Sequence, residues 1–223
     1  VAELDSLPVG AFNIRSNGQS AARNSTANIE IVSKTDKSGI DIIIKDGTKN
    51  ESCHIPVIIS KSGVEECVYN DFYVGKDCDV TIVAGCGISN CGGHDSRHDG
   101  IHTFHIEKDA HVRYIEKHYG EGTGTGKRLM NPTTEVNLGE GAVMEMDTSQ
   151  IAGINDTYRI TRAVIGPGAS LIMHDKILTN LDQTAKAEIV VSLDGDGSKC
   201  DIISRGVAKG SSRQDIVIDI AGN

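Results

Sequence analysis

The stretch "GPGASLIMHDKILTNLDQTAKAEIVVSLDGDG", residues 166–197, decides the fold. A turn opens it, two strand-like runs fill it, and a second turn closes it. In the later run Ala185, Ala187, Ile189, Val191 and Leu193 fall on every second position. A period of two places them on one face of a strand. The Gly-rich corners supply the backbone angles that a tight turn needs.

Working outward, the same corner recurs as "GKDCDV" at 75, "EKDAHV" at 107, "GEGAVM" at 139, "GPGASL" at 166 and "GDGSKC" at 195. Its third residues, Asp77, Asp109, Gly141, Gly168 and Gly197, are separated by 32, 32, 27 and 29 residues. Self-similarity at a fixed period signals stacked units. A unit of two strands and no helix cannot bury its own apolar face, so it must stack on copies of itself. The expectation is an all-β chain, a parallel β-helix (solenoid) with about 30 residues per two-strand coil. A β-sandwich would place a turn about every 8 to 12 residues without a repeated two-strand unit. The closing run "RQDIVIDI" alternates Ile216, Ile218 and Ile220 with Asp215, Val217 and Asp219 and reads as a last strand. Residues 1–28 are read as a lead-in segment and 29–223 as the β-helix core. Because the sequence opens on Val1 and closes on a strand-like run, the core is expected to continue past Asn223 in a larger protein.

Composition narrows the function. With 31 Asp and Glu against 22 Lys and Arg, the formal net charge is -9 and no basic block stands out. Nucleic acid and anionic membrane surfaces are therefore poor partners. No apolar run reaches the roughly 20 residues of a membrane span, and no secretory leader opens the chain. A soluble, cytoplasmic protein is expected. Its six cysteines are then reduced thiols. Cys53, Cys67, Cys78 and Cys200 sit singly, as small buried hydrophobes do. Aromatic residues make up only 4%, with no Trp, which suits a core of stacked Val, Ile, Leu and Ala.

The chemistry concentrates in "CGISNCGGHDSRHDGIHTFH", residues 86–105. Thiolate sulfur and imidazole nitrogen suit iron, zinc and iron-sulfur clusters, and a cysteine can also hold sulfane sulfur. Cys86, Cys91, His94 and His98 are the candidate metal ligands; Cys86, Cys91, His98 and His102 are the candidate cluster-binding residues. The spacing is not that of a zinc finger. On a strand His98 and His102 share a face and His105 takes the other, so the whole set cannot meet at one ion. The competing reading is an ordered polar loop. "GEGTGTGKR", residues 120–128, imitates a phosphate loop, but Glu121 replaces its first Gly and Arg128 its Ser/Thr. A mobile glycine loop joining two strands, with no nucleotide, is the reading adopted. His174 is read as a satisfied strand histidine, and Glu121 and Glu140 make no acid-base pair. Arg205, Lys209 and Arg213 read as solvated edge charges.

Two blocks, "VAGCGISNCGGHDSRHDGIHTFHIEKDAHVRYIEKHY" at 83–119 and "GSKCDIISRGVAKGSSRQ" at 197–214, resemble the core domain of the SufB/SufD family of iron-sulfur cluster assembly proteins. The likeness is greatest to the compact SufB-like proteins of anaerobic bacteria and archaea. The resemblance implies a right-handed β-helix that is a scaffold and not an enzyme. It would build a nascent, transient iron-sulfur cluster and hand it on. The implied partners are a SufC-like ABC ATPase, a second copy or SufB/SufD-type partner, and a cysteine desulfurase or other sulfur donor; ATP would bind the ATPase. Cys86 matches the family's cysteine in Glu-Gly-Cys, although Gly85 replaces the Glu. His102 matches its histidine in Leu-His, with Ile101 before it. Cys91, His94 and His98 have no assigned counterpart, and part of the family's site lies beyond the position that matches Asn223. A carbohydrate-active β-helix enzyme is the alternative, but it needs paired carboxylates or a calcium-carboxylate site, neither of which is visible. A third reading is a structural family member without cluster chemistry.

Overall fold

A computed structural model describes residues 7–222. The described residues contain strands and no helix. The early strands are β1 (Ala11–Ser16), β2 (Gln19–Asn24), β3 (Ile29–Ser33), β4 (Gly39–Ile44), β5 (Lys49–Ile59), β6 (Glu65–Val74), β7 (Asp79–Ser89) and β8 (Ser96–Ile106). They are followed by β9 (His111–Glu121), β10 (Arg128–Met130), β11 (Thr133–Leu138), β12 (Val143–Ala152), β13 (Asp156–Ile165), β14 (Ser170–Thr179), β15 (Thr184–Leu193), β16 (Lys199–Ala208) and β17 (Arg213–Gly222).

Successive strands alternate between two sheets. One runs β16-β14-β12-β9-β7-β5-β1-β2, here sheet A; the other runs β17-β15-β13-β10-β8-β6-β4-β3, here sheet B, with β11 also between β8 and β13. From β4 and β5 onward every pairing is parallel, with register shifts at Lys49/Glu51 of β5 and Gln150/Ala152 of β12, and this is the solenoid expected from the repeat. The first coil is closed by two antiparallel hairpin pairings, β1 with β2 and β3 with β4. The lead-in residues 11–24 thus fold as a hairpin continuous with sheet A, since β1 also pairs with β5.

The recurring corner has a physical cause. Its marker residues all adopt left-handed backbone: Asp77 at φ 54°, Asp109 at 56°, Gly141 at 67°, Gly168 at 65° and Gly197 at 74°. Only Gly, or a short Asn or Asp, takes that conformation readily. Gly47 at 73° marks the same corner in the first coil, while Gly210 at 72° lies at the opposite corner, stacked on Leu181 at 58°.

Between corners, alternate side chains point inward. Residues one coil apart stack into ladders across the parallel pairs: Phe72 lies on Phe104 with ring centroids 4.4 Å apart, and outside the coil Tyr73 lies on His105 at 5.1 Å. The main core joins Ile40, Ile42, Phe72, Ile82, Phe104, Tyr114, Met144 and Leu171 with their neighbours. A smaller apolar cluster, Val57, Ile59, Cys86, Ile88, Met130 and Ile154, fills the other end of the cross-section. Polar side chains lie between the two clusters.

The glycine stretch 120–128 has a different basis from the loose loop the sequence suggested. A Cβ on Gly122 would stand 2.1 Å from the Asn90 carbonyl oxygen, one on Gly124 2.2 Å from that of Gly92, and one on Gly126 2.1 Å from that of His94. Backbone-to-backbone stacking on residues 90–94 therefore requires these glycines. The lone cysteines also divide: Cys53 and Cys78 are buried as expected, Cys200 is half-buried, and Cys67 is exposed on the outer face of β6. His174 faces outward and is exposed.

Candidate functional site

The repeat period turns into lateral contact inside the coil. Cys86 on β7 lies in register with His118 on β9, and Glu66 on β6 with His98 on β8. All four are buried or nearly so: Cys86 is 5% exposed, His98 2% and His118 1%. The Cys86 thiol stands close enough to both imidazoles for each to act on its ionisation. Burial alone would push it up, but the two histidines, His98 foremost, more than offset this and bring it down to about 7. His98 is pushed up to about 10: burial opposes the charge, and Cys86 and Glu66 outweigh it. Together these describe a thiolate facing an imidazolium.

Each imidazole is held from behind. His98 Nδ1 lies 3.0 Å from Glu66 Oε1, and Arg15 from the N-terminal hairpin donates to Glu66 Oε2 at 2.9 Å. His118 Nδ1 accepts from the Arg159 guanidinium at 3.2 Å, which places its own proton on Nε2, 3.3 Å from Glu116 Oε1. Arg159, 3% exposed, also donates to Thr148 at 3.0 Å and pairs with Asp175, which is fully buried. Glu116 is held well below the usual carboxylate range, because His118, His102 and Arg159 overcome the cost of its burial.

His102 closes the network across the lumen. Its Nδ1 donates to the Tyr114 hydroxyl at 2.7 Å, and that hydroxyl donates to Glu116 at 2.9 Å. Burial lowers His102 to about 4, so it is a neutral imidazole at neutral pH. Gly100 keeps the space beside it open: a methyl group there would stand 3.2 Å from His102 Nε2 and 3.4 Å from His98 Nε2.

The structure therefore brings Cys86, His98 and His102 to the lumen and leaves Cys91 and His94 exposed on the loop between β7 and β8. Cys86, Cys91, His94 and His98 do not converge, and among the described residues no group of three or more His, Cys, Asp or Glu side chains is arranged to hold a metal ion. Sequence reasoning missed Glu66, Glu116, His118 and Arg159. A signal for two of them existed: Glu66 precedes His98 by 32 residues and His118 follows Cys86 by 32, one coil in each case.

Taken together, these features define a class: parallel β-solenoid proteins with a thiol, imidazole and carboxylate network in the lumen. Comparison with known proteins gives the family. Residues 67–219 match the SUF system FeS cluster assembly, SufBD core domain, and the chain belongs to that family. It is similar to an iron-sulfur cluster assembly SufBD family protein of Methanocaldococcus jannaschii, with 26% identity over 184 residues. That alignment covers 82% of this chain and 57% of the relative, so the chain spans little more than half of the curated protein it matches. A role in iron-sulfur cluster assembly follows from the family. No helix of the described residues is long and apolar enough to cross a membrane.

Proposed function

We propose that this chain is the scaffold component of a cytoplasmic SUF complex, with Cys86 as the thiol that receives sulfur for a nascent cluster. The observation that carries this reading is Cys86, a buried thiol drawn down to about 7 by two flanking histidines. A thiolate is the attacking form of a cysteine, and a paired imidazolium keeps it ionised at neutral pH. Attack on the outer sulfur of a donor persulfide, R–S–SH, forms one S–S bond on Cys86 and breaks another. The products are Cys86–S–SH and the thiolate R–S⁻, so charge and atoms balance.

The scaffold is not itself an enzyme in this reading. It works with a SufC-like ABC ATPase that binds the nucleotide, pairs with a second copy or a SufD-type partner, and draws sulfur from a cysteine desulfurase. Iron and the nascent cluster are cargo, with Cys86 and His98 the lumenal residues that contact them and Cys91 and His94 outside on the loop.

The test is anaerobic reconstitution of this chain with ferrous iron and sulfide, followed by visible absorption and iron counting. The expected result is a charge-transfer band near ~400 nm that Cys86→Ser abolishes and Cys91→Ser retains. An equal band in Cys86→Ser refutes the role given to Cys86.

A further inference from the structure

The cover over Cys86 is uneven, and it is thinnest at the N-terminal hairpin. Strand β4 begins at Gly39, which pairs with Tyr69, so residues 65–68 of β6 have no strand beside them on the side away from β8. Glu66 lies in that uncovered stretch, yet its side chain is only 7% exposed. The tip of the β1–β2 hairpin, residues 15–19, takes the place of the missing strand. Arg15 folds over Glu66, donating to its Oε2 at 2.9 Å, to the Gly18 carbonyl at 3.0 Å and to the Ser38 hydroxyl at 3.4 Å. A Cβ on Gly18 would stand 4.0 Å from the same carboxylate oxygen.

The thiol lies directly beneath. Glu66 holds His98 at 3.0 Å, and His98 faces Cys86. In sheet A, Arg15 pairs with Val57 and Val57 with Cys86, which puts two strand spacings, about 10 Å, between the hairpin and the thiol-bearing strand. In the other direction the same row runs on through His118, Gln150 and Ile177, all buried.

The tip is joined to the coil in a way that lets it swing. Its pairing with β2 shifts register between Ile14 and Arg15, and its pairing with β5 joins Ala11 and Phe12, then Arg15 and Ser16, leaving out the two residues between. Such a break disrupts the ladder locally and lets the strand bend there. Beyond it comes the two-residue turn Asn17-Gly18, at φ 49° and 83°. Asn17 pins this turn to the corner after β5: its side-chain oxygen accepts from the Ser60 amide at 2.8 Å and the Lys61 amide at 3.0 Å, and its side-chain nitrogen donates to the Ser60 hydroxyl at 3.1 Å. These bonds are exposed, so water replaces them at small cost when the turn moves.

We infer that the hairpin tip is a gate: residues 15–19 lift off Glu66 to admit a sulfur donor to Cys86, and Asn17 is the catch that holds them closed. The inference rests on the reading of Cys86 as the sulfur acceptor, since a buried thiol must be uncovered to meet its donor.

The experiment follows access and sulfur uptake separately on the whole chain. Access is the rate at which iodoacetamide alkylates each cysteine, located by peptide mass spectrometry, with the exposed Cys67 and Cys91 as references. Uptake is the sulfur gained from glutathione persulfide without oxygen. Asn17→Gly keeps the left-handed turn and removes the catch without touching Arg15, Glu66 or His98. It should speed alkylation of Cys86 about 10-fold or more relative to the references, from the loss of the catch's hydrogen bonds. Cys53, buried and paired with Ala11 at the far end of the same strand, should stay unlabelled. Asn17→Cys/Ser60→Cys, once oxidised, should suppress alkylation of Cys86, and reduction should restore it. These results support the gate. Faster alkylation of Cys86 in Asn17→Gly with no sulfur uptake by any variant also supports the gate, and refutes Cys86 as the acceptor. The gate is overturned if either variant labels Cys86 at the parent rate, or if Cys53 is labelled as fast as Cys86, which marks unfolding and not a lifted tip.

Discussion

Replacing Arg159 by Met tests whether the polar lumen is one connected structure. Arg159 and Asp175 are 3% and 0% exposed at their side chains, and the guanidinium also reaches Thr148 and His118. Methionine fills much of the volume but leaves the Asp175 carboxylate buried without its cation. Breaking a buried pair from one side costs about 3–5 kcal/mol. In a chain of this length each kcal/mol lowers the melting temperature by about 2–4 °C, so a fall of roughly 6–20 °C is expected at pH 7. The assay is thermal and denaturant unfolding of Arg159→Met, Asp175→Leu and the double variant. Because the pair and not either charge is at issue, the double variant should recover most of the loss suffered by Arg159→Met. A single variant that costs less than about 1 kcal/mol, or a double variant that merely adds the two losses, would refute the connected network.

Other expectations follow from the same geometry. Gly124→Val should destabilise by about 1–3 kcal/mol or more, because its Cβ meets the Gly92 carbonyl at 2.2 Å; unfolding midpoints unchanged from the parent would contradict the stacked loops. Asp109→Gly should be neutral or stabilise by up to about 1 kcal/mol, since it relieves a left-handed residue at φ 56°. Thiolate absorbance near ~240 nm, taken as parent minus Cys86→Ser, should titrate near 7, and His98→Gln should move that midpoint upward. The pair also sets a stability window. The contribution of the Cys86 thiolate is complete above its ordinary value of 9.0 and is lost as pH falls through about 7; that of the His98 imidazolium is complete below 6.5 and is lost as pH rises through about 10. The stability difference between the parent and His98→Gln should therefore shrink above about pH 10, and a difference that grows there would contradict the assigned charge.

Much of the fold was legible because the solenoid writes its corner into the sequence once per coil. Asp77, Asp109, Gly141, Gly168 and Gly197 recur for one physical reason, a left-handed corner, and that reason shows in residue type alone. The inward alternation of Ala185, Ala187, Ile189 and Val191 was equally plain. The site was legible only in part. Cys86, His98 and His102 were singled out from one short stretch, and the strand period correctly sent His105 to the other face, where it stacks on Tyr73. Cys91 and His94 were grouped with them by closeness in sequence, but a loop carries both away from the lumen. Arg159 escaped notice because its partners Thr148, Asp175 and His118 lie across the lumen on the other sheet, whereas Glu116 shares the inner face of β9 with Tyr114 and His118, a local pattern that was not weighed. Two Glu66 contacts show the contrast: His98 is one period distant, but Arg15 comes from a hairpin that interrupts the repeat.

The central claim is that the lumenal thiol, and not an exposed one, takes up sulfur. The most direct measurement is to offer the chain glutathione persulfide without oxygen and locate the added sulfur by peptide mass spectrometry. Cys67 and Cys91 are exposed, so simple accessibility would label them first. The account predicts instead that Cys86 gains one sulfur and that His98→Gln/His118→Gln loses this labelling. Sulfur found on Cys67 and Cys91 with Cys86 unmodified would contradict it.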